Sequence, residues 1–148
     1  MLDFEAYVED GKYWVKEICI LFNGDTDHCY NYFVKAHKMG WNNPGSQNFQ
    51  FKRHGLRKDF GDYHFNEAIR DIQNKVGNDK VYVKGLEKTN FIKLYLPNVE
   101  ELVDYGAFKD YNQFMMECCG FAHSMLFCAR RKCFVLHEIF MQKHVNNL

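Results

Sequence analysis

Three stretches in the first 36 residues read as β-strands, by their content of β-formers, by an apolar β-branched run or by apolar–polar alternation. "LDFEAYV" at 2–8 is short and rich in β-formers, "YWVKEICILF" at 13–22 is apolar and β-branched, and "HCYNYFVKA" at 28–36 alternates again. Between them lie "EDGK" and "NGDTD", and Asp10-Gly11 and Asn23-Gly24 are strong tight-turn dipeptides. Three strands on two tight turns predict an antiparallel meander. The alternation lapses over 37–48, "HKMGWNNPGSQN", a predicted loop, and 49–62 reads as a basic, partly helical connector. The period then becomes helical. In "DYHFNEAIRDIQNKV", 62–76, Phe65, Ile69, Ile72 and Val76 share a face, and Gly77 follows as a C-cap. "KVYVK", 80–84, predicts a short strand, "GLEKTNFIKLYL", 85–96, a helix ended by Pro97, and "VEELVDY", 99–105, a strand or a turn. Residues 111–145 read as helical, in two or three pieces with a break near Gly120.

Strands followed and flanked by helices predict an α/β layer fold, a mixed sheet that begins with the meander. At 148 residues, without an internal repeat, the chain is expected to form a single domain spanning 1–148. A hydrophobic fraction of 47% and an aromatic fraction of 17% exclude a disordered segment. Nineteen basic residues balance nineteen acidic ones, so polyanion binding would need a local patch. No apolar run reaches the roughly 18 residues that cross a bilayer. The acidic start "MLDFEAYVEDGK" does not read as a signal peptide. An intracellular protein, cytoplasmic or nuclear, is the expectation, with the six cysteines as free thiols or metal ligands rather than disulfides.

Chemistry-bearing residues gather at the two ends of the chain. Asp3 and Glu5 sit two apart in the first predicted strand, so both carboxylates point to one face. "HSMLFCARRKCFVLHEIF", 123–140, begins with His123 and carries Cys128 and Ala129 five and six residues later. Between them, "HGL", 54–56, precedes the helix at 62–76 and "VYVKGLEKTNFI". Taken in order, these pieces resemble the DnaQ-like, or DEDD, 3′–5′ exonucleases of the ribonuclease H-like superfamily. In that family a D-x-E pair on the first strand binds the catalytic metals, and a His-x4-Asp-Ala motif opens the last helix. The resemblance implies a ribonuclease H-like fold, but this chain departs from the pattern. The register puts Lys88, next to Glu87, where the family has an acid, and Cys128 where it has the last Asp. A thiolate is a poor Mg²⁺ ligand, and two-metal hydrolysis needs several carboxylates. The standard exonuclease site is therefore expected to be broken, with a Lys88–Asp3 ion pair in place of metal.

A carboxylate, an imidazole and thiolates suit tetrahedral Zn²⁺. Cys119 and His123 are four apart on one helix face, and Cys128 follows. With Glu5 they would form a Glu-Cys-His-Cys set, with Cys118 competing for the place of Cys119. This constellation resembles the zinc cluster of the Maelstrom domain, a DnaQ-like relative from a small-RNA silencing pathway that lost the acidic set. The resemblance implies a structural zinc, because four protein ligands leave no position for water. The bland alternative is a buried helix with free cysteines and one satisfied histidine.

Two basic clusters are candidates for nucleic-acid contact. One is Lys52, Arg53, Arg57 and Lys58, interleaved with Phe49, Phe51 and Phe60; the other is Arg130, Arg131 and Lys132. A charged, solvated surface over core aromatics is the competing reading. Cys133, His137 and His144 could form a second metal site or be ordinary helix residues, and Trp14 and Trp41 could serve a partner.

Three functions stay open. The first is a catalytically degenerate domain that binds RNA or single-stranded nucleic acid, or scaffolds a silencing or processing complex of protein partners. The second is a working Mg²⁺ nuclease using Asp3, Glu5 and Glu87, with His123 as general base. The third is a protein-interaction module, such as a homodimer, with no nucleic-acid contact.

Overall fold

The computed structural model describes residues 1–9, 11–36, 44–102 and 128–146. Among the described residues five strands and four α-helices follow one another: β1 (Leu2–Glu9), β2 (Lys12–Leu21), β3 (Cys29–Phe33), α1 (Pro44–His54), α2 (Phe65–Val76), β4 (Val81–Lys84), α3 (Leu86–Lys93), β5 (Val99–Leu102) and α4 (Ala129–Asn146). The strands form one mixed sheet in the order β3-β2-β1-β4-β5. β1–β2 and β2–β3 are antiparallel, so the predicted meander is present, and β1–β4 and β4–β5 are parallel.

The central position of β1 decides the character of the molecule. Its alternate residues point to opposite faces. Leu2 and Phe4 enter the main core with Val15, Ile18 and Ile20 of β2 and with Ala68, Ile69, Ile72 and Val76 of α2. Burying each of the larger side chains contributes about 1.5–3 kcal/mol. Asp3 and Glu5 face the other way, and α4 covers that side, packing Val135, Leu136 and Ile139 in one cluster and Ala129 and Cys133 against Cys19 and Leu21 in another. The central strands are therefore covered on both faces, and even Asp3 and Glu5 are removed from water.

Element boundaries differ from the sequence pattern where tertiary hydrogen bonds intervene. α2 begins at Phe65 rather than at 62, because the amides of Asp62 and Tyr63 donate to the Phe33 carbonyl at 3.0 and 3.1 Å. The His64 amide then donates to the Glu67 side chain at 3.0 Å and starts the helix. Gly77 ends it as expected, its amide on the Gln73 carbonyl. α1 starts inside the predicted loop, at Pro44, since proline suits the first helical turn. The ambiguous segment after Pro97 forms strand β5, paired with β4 from Val81↔Val99 to Lys84↔Leu102. Among the described residues no helix is long and apolar enough to cross a membrane.

Gly61 has a role that its neighbours dictate. Its φ is 141°, and a Cβ there would lie 2.8–2.9 Å from backbone atoms of Phe33, Val34 and Lys35. The same loop is held by Lys16, a fully buried lysine of β2. Its ammonium donates to the carbonyls of Val34 at 2.5 Å, Lys58 at 3.0 Å and Phe60 at 2.5 Å. Burial lowers its pKa to about 8.

Candidate functional site

Asp3 and Glu5 are 2% and 8% exposed. A carboxylate removed from water to that extent needs a partner. For Asp3 the partner is Lys88, from the first turn of α3, whose Nζ lies 2.9 Å from Asp3 Oδ1 and 2.6 Å from the Phe4 carbonyl. The expected Lys88–Asp3 pair is thus present. The same ammonium stands 4.8 Å from the Phe4 ring centroid. For Glu5 the partner is Lys132 of α4, 2.5 Å from Oε1. These two anions are thus each met by a cation from within the chain.

Burial pushes the Glu5 pKa up, opposed by Lys132 and Lys88 and assisted by Asp3. Burial also disfavours the Lys132 ammonium, but Asp3 and Glu5 outweigh it and hold its pKa above the ordinary lysine value. Arg53, from the far end of α1, acts on Lys132 in the opposite sense. The basic end of α1 is therefore an electrostatic neighbour of the carboxylate pair.

A third carboxylate belongs to this face. Glu17 of β2 lies opposite Glu5 in the ladder and is fully buried. It accepts the Ala129 amide at 2.6 Å, so it caps the start of α4, and the Cys128 thiol donates to it at 3.8 Å. Sequence reasoning missed this residue. The signal was available, since Lys16-Glu17 is the only charged pair inside the apolar run at 13–22, and an ion there has to meet something.

The described part of the C-terminal segment, Cys128 and α4, packs on the strand face that carries the acidic pair. There Cys128 donates to Glu17, and Lys132 donates to Glu5. The other expected zinc ligands, Cys119 and His123, and the competing Cys118, lie outside the described residues. Among the described residues no group of three or more His, Cys, Asp or Glu side chains is placed to hold a metal ion. Glu87, the unconventional third ligand of the nuclease reading, is instead exposed and accepts from the Tyr13 hydroxyl at 3.5 Å. A cleft of about 450 Å³ opens beside the pair, lined by Asp3, Tyr13, Lys84, Glu87, Lys88 and Lys132 among others. Asp3 Oδ2 is buried in its wall with no hydrogen-bond partner among the described residues.

The two basic clusters have different fates. Lys52, Arg53 and Arg57 are exposed and Lys58 is half-buried. The interleaved aromatics are at the surface too: Phe49 is 64%, Phe51 40% and Phe60 36% exposed. Arg57 leans on Asp59 at 3.4 Å. The second cluster turns inward, contrary to its reading as an exposed patch. Arg131 is buried, Lys132 is committed to Glu5, and the half-buried Arg130 lies 5.1 Å from the Phe134 ring. These three residues open a helix that lies on the sheet, so α4 has little solvent-facing surface at this end.

The remaining candidates separate. The Cys133 thiol donates to the Cys19 carbonyl at 3.3 Å, while His137 lies over Gly24. The side chain of His144 and all of Trp41 fall outside the described residues. Trp14 has the Lys12 ammonium 4.4 Å from its ring. Neither a protein-family model, nor a curated protein, nor a solved structure matches this chain.

Proposed function

We propose that this chain is a ribonuclease H-like domain, a degenerate relative of the DnaQ-like exonucleases, that binds RNA or single-stranded DNA without turning it over. Its role in this reading is to hold a strand within a silencing or processing complex. The observation that carries the proposal is the pair of ammonium groups, Lys88 on Asp3 and Lys132 on Glu5, at 2.9 and 2.5 Å. A two-metal hydrolase uses such carboxylates to clamp cations. Here lysines supply the positive charge and offer no coordination position to water. A divalent cation entering this space meets both ammonium groups. Two unit charges about 4 Å apart repel by about 4 kcal/mol at an effective dielectric constant of about 20.

The fold reading is supported by a central strand bearing the acidic pair and by the antiparallel meander followed by two parallel strands. Binding is supported by Phe49, Phe51 and Phe60 standing exposed among Lys52, Arg53 and Arg57. Cationic side chains track phosphates and exposed rings stack bases, a combination that tolerates many sequences. A structural zinc held by Cys119, His123 and Cys128 remains part of the proposal. Glu17, 3.8 Å from the Cys128 sulfur, is a fourth ligand as reasonable as Glu5. Zinc found by elemental analysis and lost in Cys128→Ser supports that part.

The test is fluorescence anisotropy of an end-labelled single-stranded RNA over a salt series, with Mg²⁺ present. The oligonucleotide is expected to bind and stay intact. Lys52→Ala with Arg57→Ala should weaken binding and flatten the log–log salt slope by about 1.4, which is about 0.7 for each phosphate contact on a single strand. Mg²⁺-dependent shortening of the oligonucleotide that stops in Asp3→Ala would establish the working nuclease instead. A protein-interaction module is favoured by one observation, the exposure of Leu86 at 60% and Leu94 at 74% at the two ends of α3. Dimeric elution with no salt-sensitive RNA retention selects that reading.

A further inference from the structure

A second concentration of reactive groups lies on the α4 side of the sheet, beyond the carboxylates. β2 and β3 pair with Leu21 opposite Cys29 and Cys19 opposite Asn31. Cys19 and Cys29 are therefore diagonal neighbours on one face, and their sulfurs are 3.4 Å apart. α4 closes over them. Its Cys133 thiol donates to the Cys19 carbonyl at 3.3 Å, and Arg130, three residues earlier on the helix, bears on Cys29. All three thiols are free.

The two partners differ in the ways that matter for thiol chemistry. Cys19 is fully buried, whereas Cys29, at the first position of β3, is partly open to solvent. A small reagent therefore reaches Cys29 first. The hydrogen bond from Cys19 lowers the Cys29 pKa to about 7, with help from the Arg130 guanidinium and against the effect of burial. The Cys19 thiol is pushed well above its ordinary value by its hydrogen bonds to Cys133 and Cys29 and by burial. Among the described residues, charged groups that bear on the cluster include Arg130 of α4 and the amino terminus of Met1, whose ammonium is itself destabilised by burial and supported by Cys133 and Cys19. The arrangement is an accessible sulfur, a guanidinium that bears on it and a second sulfur 3.4 Å away. Thiolate character together with access selects a cysteine for oxidation, and a neighbouring thiol decides what becomes of it.

We propose that Cys29 is a peroxide-reactive thiol and that Cys19 is its resolving partner, the pair closing to a Cys19–Cys29 disulfide between β2 and β3. In the first step the Cys29 thiolate attacks one oxygen of hydrogen peroxide or an organic hydroperoxide. A sulfur–oxygen bond forms, the oxygen–oxygen bond breaks, and hydroxide or alkoxide leaves and takes up a proton. In the second step the Cys19 sulfur attacks the sulfenic sulfur of Cys29. The disulfide forms, the sulfur–oxygen bond breaks, and the Cys19 proton leaves with the hydroxyl as water. The two thiols lose two electrons together, and the peroxide gains them. The sulfurs are 3.4 Å apart, against a bonded distance of about 2.05 Å, so closing the bond brings the two strands slightly closer at this diagonal.

The experiment uses the full chain, freed of reductant and treated with equimolar hydrogen peroxide. Intact mass under non-reducing conditions should fall by the mass of two hydrogens. Non-reducing peptide mapping should join the Cys19 and Cys29 peptides, and dithiothreitol should separate them. In untreated protein, Cys29 should be the described cysteine that iodoacetamide alkylates fastest, with a half-maximal rate near pH 7. Cys19→Ser should halt the reaction at a Cys29 sulfenic acid that dimedone traps. The proposal is overturned if Cys29 is alkylated no faster than Cys133. It is equally overturned if peroxide adds two or three oxygens to Cys29 while wild-type Cys19 stays free. The alkylation measurement needs no variant, so a substitution that fails to fold does not protect the idea.

Discussion

Replacing Lys88 by methionine keeps most of the side chain's apolar length and removes its ammonium. Asp3, whose side chain is 3% exposed, then loses the ammonium in contact with it and keeps only the longer-range attraction of Lys132, and the Phe4 carbonyl loses a 2.6 Å donor. Removing one member of a buried ion pair costs about 3–5 kcal/mol, because the surviving charge stays desolvated. Lys88 is 26% exposed, so water can take over part of its role, and the lower end of that range, about 3 kcal/mol, applies. Domains of this size are stable by about 5–15 kcal/mol, so the loss is large. Urea unfolding followed by tryptophan fluorescence measures it directly. With an m-value of about 1–3 kcal/mol per molar, the midpoint should fall by about 1–3 M at unchanged slope. Adding Asp3→Asn to the Lys88→Met chain should recover much of the loss, since it removes the stranded charge. The two substitutions should therefore be non-additive by about 1–3 kcal/mol. A cost under about 1 kcal/mol for Lys88→Met, or a double variant weaker than Lys88→Met alone, would refute the claim that Lys88 neutralises Asp3.

Two further expectations rest on single contacts. Gly61→Ala should cost about 2–4 kcal/mol, the sum of backbone strain at a positive φ and overpacking against a backbone that cannot retreat; the Cβ would meet Phe33, Val34 and Lys35 at 2.8–2.9 Å. A thermal midpoint within a degree of wild type would contradict it. His137 is held below its ordinary pKa of 6.5, first by burial and then by the amino-terminal ammonium, with Glu138 acting in the opposite direction. The unfolded chain therefore binds more protons than the folded one just below pH 6.5, so stability is present above that pH and is lost as pH falls through it. His137→Gln should flatten this part of the profile of unfolding free energy against pH, and an unchanged slope would show that His137 does not cause it.

Much of the architecture was written in local patterns. Runs of β-formers, apolar in the second stretch and alternating in the third, marked the first three strands, and Asn23-Gly24 marked a turn in which both residues adopt positive φ, 53° and 69°. Ile69, Ile72 and Val76 announced the buried face of α2, and Gly77 its end. The functional residues at the amino terminus were legible too, because two carboxylates on one face of a strand rich in apolar neighbours demand compensation. That demand, together with the register that the resemblance implies for Lys88, paired Lys88 with Asp3 from the sequence. The boundaries at 62–64 and at Pro44 were not, since they turn on hydrogen bonds to Phe33 and on the chemistry of a first helical turn.

Periodicity tells a residue which side of its own element it occupies, and that information stops at the element. The pairing of Lys132 with Glu5 spans 127 positions and that of Cys128 with Glu17 spans 111, so each depends on how far α4 slides along the sheet before its apolar side chains interlock. A displacement of one helical turn, about 5.4 Å, would exchange the partners without altering any pattern in the sequence. The chain by itself therefore determined that charges would be buried on β1 and that a helix rich in thiols and basic residues would follow. Only close packing of that helix against the strands decided that a lysine meets Glu5, that the cysteine meets Glu17 and that the second basic cluster faces inward.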